Sequence, residues 1–165
     1  MTVVEKSCQA AEIVTGQEQN KVLRELHEKI QQNEAVEDAL WQTVLAFQNY
    51  PFRTSSGLPF SYIVKRGRNG NYTGELVISR KEGSKTLTRS SILLAFRKVL
   101  KAMELGEAVG ADGNGEARIS LPEYKGPKAI GQIFGISYVY SMFWRWGLIA
   151  VPENVAEKLR GEGVR

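Results

Sequence analysis

The chain has 165 residues, with 22 Lys and Arg, 18 Asp and Glu, one His, one Cys and 42% hydrophobic residues. That is enough chain to bury a substantial core, and Cys8 without a partner excludes a disulfide framework and leaves a Cys/His zinc site without its ligands. No basic start leads into a long apolar run after Met1, so the expectation is a cytoplasmic protein with no secretory signal, cofactor or metal.

The net charge of +4 is unevenly spread. Residues 1–50 carry 4 basic and 8 acidic side chains, residues 51–105 carry 11 and 3, and residues 106–165 carry seven of each. A middle segment this biased gives one surface a positive potential that attracts polyanions and weakens with salt.

Residues 1–14 show no clear period and read as a tail or a first strand, ahead of a single domain over residues 15–165. Thr15-Gly16-Gln17-Glu18 offers a capping box, and Val22, Leu23, Leu26 and Ile30 continue with helical spacing to about Gln32. Asn33 is placed to cap a second helix with Val36, Leu40, Val44 and Phe47 on its apolar side, limited by Pro51. Residues 15–50 are thus an acidic helical pair.

Residues 51–105 read as a basic hairpin plus a helix. Phe60 to Lys65 and Thr73 to Lys81 are rich in β-branched and aromatic residues, and the turn formers between them centre on Asn69-Gly70. Lys65, Arg66, Arg68, Arg80 and Lys81 put much of the positive charge on this ribbon. Gly83-Ser84 reads as a turn and Thr88 as a cap. The helix from Arg89 to Glu104 follows, with Ile92, Ala95, Phe96, Val99, Leu100 and Met103 on its core side. Residues 106–126 form a glycine-rich loop with a turn at Asp112-Gly113-Asn114-Gly115 and a short strand at Arg118 to Leu121.

Between Ala129 and Val151 the only charge is Arg145, a length that would admit a membrane span. Gly131, Gln132, Gly135 and Ser137 interrupt the run, and Ser137, Ser141 and Arg145 recur every four residues, so an amphipathic helix with no membrane partner is expected. Pro152-Glu153 starts a last short helix.

Pro127-Lys128-Ala129-Ile130-Gly131-Gln132-Ile133-Phe134-Gly135-Ile136-Ser137, with the stretch to Arg145 and then Gly147-Leu148-Ile149, resembles a bacterial helix-turn-helix. The resemblance covers residues 127–149. It implies Gly131 at the helix approach, Gly135 in the turn, Ile136 as its anchor and Ser137 capping a recognition helix. That helix would present Ser137, Tyr138, Ser141 and Arg145, with Arg145 suited to guanine and Lys125 and Lys128 to phosphate. Position 141 is Ser where many such motifs place an apolar residue, and Tyr140, Phe143, Trp144 and Trp146 make the helix aromatic. The alternative is a buried helix pair with those rings as core. With the basic hairpin, the unit is winged-helix-like, though the hairpin precedes the recognition helix.

Lys85 and Arg89, with the hydroxyls of Ser84, Thr86, Thr88, Ser90 and Ser91 at a helix start, suit a phosphate contact. The glycine spacing of a nucleotide-binding loop is missing. His27 lies on a charge-laced helix, and Cys8 has no His nearby, so neither points to catalysis. The expected fold is α+β: an N-terminal helical pair, a central basic β-hairpin and C-terminal helix-turn-helix-like helices. The expected function is non-enzymatic nucleic-acid binding, with DNA favoured over RNA, in a small bacterial or mobile-element regulator of transcription. The alternative is an inhibitor or adaptor whose partner is a protein or nucleoprotein complex.

Overall fold

The computed structural model of the chain describes residues 2–109 and 121–161. The fold is α+β, and the single domain expected over residues 15–165 divides into two compact units, Met1–Gln48 and Asn49–Arg165. The boundary falls beside the point where the charge of the sequence changes sign.

The first unit is a helical pair, α1 (Thr2–Gln32) and α2 (Val36–Ala46). The stretch expected as a tail or first strand is therefore helix, and Thr15–Glu18 lies inside it and not at its start. Gly16 costs the interior of this helix about 1 kcal/mol relative to Ala. Asn33 also differs from its expected role. It ends α1 with φ 54, and its N–H donates to the Ile30 carbonyl. Asn tolerates this left-handed conformation, while α2 starts after Ala35 with no side-chain cap. Glu37 and Asp38 in the first turn of α2 suit the positive end of its dipole. Leu26 of α1 and Leu40, Thr43 and Val44 of α2 are buried. Gln19 Nε2 donates to the Ala46 carbonyl at 3.4 Å, satisfying one of the groups left open where α2 ends.

The second unit contains a four-stranded antiparallel meander, β1 (Phe52–Arg53), β2 (Pro59–Arg66), β3 (Tyr72–Arg80) and β4 (Gly83–Thr88), in that spatial order. The expected hairpin is its central pair. The Asn69-Gly70 turn is closed by Gly67 N–H donating to the Asn71 carbonyl at 2.8 Å, with Gly70 at φ 80. Gly83-Ser84 is not a turn but the start of β4, since Lys81-Glu82 makes the reversal and Arg80 pairs with Gly83. The period-two pattern of β4 escapes the sequence because only Leu87 is buried along it.

Alternation sorts the strands cleanly. Phe60, Tyr62 and Val64 of β2 face inward with Leu76 and Ile78 of β3 and Leu87 of β4. Thr88 caps α3 (Arg89–Val109), its Oγ1 accepting from the Ser91 N–H at 3.3 Å. Ile92, Ala95, Phe96, Val99 and Met103 of α3 are buried, and Leu100 is half-buried. α3 runs through residues 106–109, taking up the start of the expected glycine-rich loop. The expected turn at Asp112–Gly115 and residues 118–120 of the expected strand lie outside the described residues, and Leu121 is not in a strand.

A 3-10 turn (Pro127–Ala129) leads to α4 (Ile136–Arg145), and α5 (Glu153–Arg160) follows. Glu123 and Ala150 form a parallel bridge that ties the two flanks of α4 together. Phe60 meets Tyr138 edge-on at 5.0 Å, and Phe96 meets Phe143 edge-on at 6.1 Å, so α4 packs aromatic rings against both sheet and α3. Among the described residues, no helix is long and apolar enough to cross a membrane.

Gly135 precedes α4 with φ 77, and a Cβ there would stand 2.5 Å from Leu87 Cδ1. Gly135→Ala is therefore expected to destabilise the protein by about 1–3 kcal/mol, through strain and overpacking together, as a lowered melting temperature would register. Tyr140 donates to the Tyr124 carbonyl at 2.6 Å. Burial, then the Glu123 carboxylate, pushes its hydroxyl up to about 12 from 10.0. The folded state thus holds a proton that the unfolded state releases above pH 10, so stability falls as pH rises from 10 through about 12. Tyr140→Phe should cost about 1 kcal/mol at neutral pH and flatten part of that alkaline loss in denaturant titrations.

Candidate functional site

The positive charge of the second unit gathers on the sheet and the helix after it. Between Pro59 and Arg89 seven basic side chains stand against two acidic ones, Glu75 and Glu82. Such a bias is worth most where the cations converge, and three of them do.

Lys65, Arg66 and Arg89 line an open recess with Gly67, Thr73, Gly74, Glu75, Thr88 and Ser90. Three elements build it. β2 ends in a bulge between Val64 and Arg66 that re-aims its last residues, β3 begins opposite, and α3 starts at the floor with its N-terminus. Gly74 permits the close approach, because a Cβ there would stand 3.3 Å from Arg89 Cβ. The Arg66 guanidinium is held in place by the Gly70 carbonyl and the Tyr72 hydroxyl, each at 2.8 Å, and lies 4.1 Å from the Tyr72 ring centre. Thr73 Oγ1 donates to the Lys65 carbonyl at 2.9 Å, which fixes the strand ends against each other. Glu75 lies 3.9 Å from Lys65 in an exposed pair of small energetic weight. Two guanidiniums, an ammonium and a helix N-terminus form a surface that a phosphate oxygen can meet from several directions.

The other expected contacts are dispersed. Arg68 is exposed in the β2–β3 turn, Lys81 in the β3–β4 turn, and Lys85 on the edge strand. Arg80 points the other way: it is half-buried on the inner side, and its guanidinium donates to the Tyr138 hydroxyl at 3.2 Å. It pairs with Phe60 across the sheet, so register places it on the inner face. Lys125 and Lys128 are exposed around the 3-10 turn and do not border the recess.

The expected recognition helix is a core element. The segment expected as its partner is the 3-10 turn of Pro127–Ala129, too short for a first helix. Tyr138 is buried against Phe60, and Ser141, 1% exposed, donates its hydroxyl to the Ser137 carbonyl. Arg145 Nε donates to the Tyr50 hydroxyl at 2.7 Å, and its guanidinium lies 5.1 Å from that ring centre. Of the four side chains expected to face a groove, only Ser137 is exposed. The reason is the aromatic content of the helix: rings this large gain more from packing than from solvent, so they turn inward and take Tyr138 and Ser141 with them.

Residue pattern alone does not single out Thr73 and Gly74 at the recess, nor the outward face of β2–β4. A signal is present in β2, where Ser61, Ile63 and Lys65 alternate with buried residues. Among the described residues no group of three His, Cys, Asp or Glu is placed to hold a metal. Comparison with protein-family models, with curated proteins and with solved structures returned no match.

Arg145→Ala should lower the melting temperature, with a destabilisation of about 1–2 kcal/mol from removing the Tyr50 hydrogen bond and the packing of the guanidinium. Thermal unfolding followed by circular dichroism measures it.

Proposed function

We propose that this protein is a non-enzymatic nucleic-acid-binding protein, with DNA as its favoured target, that grips backbone phosphate at the basic end of its sheet. The observation that carries this reading is the recess where Lys65, Arg66 and Arg89 converge on the N-terminus of α3. Phosphate contacts dominate affinity for nucleic acid, and the types of group gathered here, guanidinium, ammonium, hydroxyl and helix N-terminus, are those that make them. Arg68 on the adjoining turn extends the same positive surface outward.

The test is duplex binding followed by fluorescence anisotropy across a salt series. Affinity should fall steeply with salt for duplexes of any sequence. Lys65→Gln and Arg89→Gln should each weaken binding for every sequence and reduce the slope of log affinity against log salt by about 0.9 for each phosphate no longer neutralised. Absence of binding to duplex or single strands at low salt overturns the reading.

A further inference from the structure

Phe134 is the most exposed large hydrophobic side chain among the described residues, at 68%. It stands at the corner of a tight turn, in which the Ile136 N–H donates to the Ile133 carbonyl at 3.1 Å and Gly135 follows with φ 77. Turn corners ordinarily carry Pro, Asn, Asp, Ser or Gly. Ile133 and Ile136 are buried, so the turn is pinned to the core on both sides and the ring is held outward. Two close packings fix where the segment lies. Gly135 packs on Leu87, two residues ahead of Arg89 in the basic recess, and a Cβ at Gly131 would stand 2.7 Å from Lys98 Nζ of α3. The ring therefore stands on a segment that runs between the recess and the Lys98 ammonium.

The charge around the ring selects its occupant. The two stretches that build this surface, residues 83–103 and 124–152, hold eight basic side chains and no acidic one. Lys85, Arg97, Lys98, Lys101, Lys125 and Lys128 among them are exposed. The acids that bound the stretches, Glu82, Glu104, Glu123 and Glu153, all lie beyond their ends in sequence. An outward ring set among cations suits a polyanion that carries flat apolar faces. Unpaired nucleobases on a phosphate chain offer such faces, whereas the bases of a duplex are already stacked on one another. An acidic peptide matches the charge without supplying planar faces for the ring.

We propose that Phe134 is a stacking platform for an unpaired base of single-stranded DNA, with Lys98 and Lys128 taking phosphates of the same strand. This rests on the DNA-binding reading above. It adds a contact that meets bases to a recess that meets phosphate alone, and it gives the protein a preference for unpaired over paired DNA.

The experiment follows fluorescence anisotropy of a labelled oligothymidylate of about twelve nucleotides, titrated with the full chain across a salt series. Phe134→Ala should weaken binding about tenfold, and Phe134→Leu, which stays apolar, nearly as much, while the salt slope keeps its wild-type value. Phe134→Trp should retain wild-type affinity. Lys98→Gln should instead lower the slope by about 0.7, the share of one phosphate on a single strand. Leu58→Ala removes a side chain that is 62% exposed between β1 and β2, and should leave affinity unchanged. One arm needs no variant to fold: an abasic strand of the same length and charge should bind the wild-type protein about tenfold more weakly with the same slope. Phe134→Ala and Phe134→Leu within about twofold of wild type, or an abasic strand bound as tightly as thymidylate, overturns the platform and leaves the phosphate grip standing. Equal loss of duplex and single-strand binding in Phe134→Ala overturns it also, as does equal affinity for polyglutamate of the same charge. Failure of the wild-type protein to bind any nucleic acid overturns both readings together.

Discussion

Seven of the ten residues of α4 are buried, and the arrangement of the second unit follows from finding a place for them. Tyr138 meets Phe60 of the sheet, Phe143 meets Phe96 of α3, and Trp146 beyond the helix end meets Phe143 at 6.2 Å. Fully burying one such ring stabilises the fold by about 1.5–3 kcal/mol, so turning this helix out to a ligand would forfeit a large part of the stability of a small unit. Gly135 makes the approach possible, because the chain must turn with positive φ where Leu87 leaves no room for a side chain.

Once the core occupies the inner side of the sheet, the polar residues of β2–β4 are left on the other side. Period-two alternation enforces this: with Phe60, Tyr62 and Val64 inward, Ser61, Ile63 and Lys65 have only the outer face available. Arg80 shows the same rule from the opposite direction. It belongs to the basic segment by sequence, yet register carries it to the inner side, where the Tyr138 hydroxyl accepts from it. Charge counted along a chain is therefore a poor guide to charge on a surface until the strand faces are known.

Much of the architecture was legible. The helical spacing of Leu26, Leu40 and Val44, the Asn-Gly turn between two β-rich runs, the Thr88 cap and the core side of α3 all reflect local rules that tertiary packing did not override. Three features were not. The helix over residues 2–14 lacks an apolar period, β4 buries one side chain alone, and the segment before α4 carries the residue classes of a helix but closes as a 3-10 turn at Pro127–Ala129. In each case the periodic signal was weak or ambiguous, and the neighbouring backbone decided the outcome.

The sequence by itself determined that a basic segment follows an acidic helical one, that the basic segment is largely strand, and that an aromatic helix lies near the end. Those properties depend on residue type and spacing over a few turns or strand pairs, and no distant contact is needed to read them. Only the tertiary structure decided which face of each element meets solvent. It brought Lys65 and Arg66 together with Arg89 across more than twenty residues of chain at one recess, and it placed Tyr138 and Ser141 in the interior. The physical reason is that side-chain direction is set by competition for the core. The rings of α4 and the inward rows of the sheet fill that core, so the outward residues of the sheet and the converging cations remain at the surface.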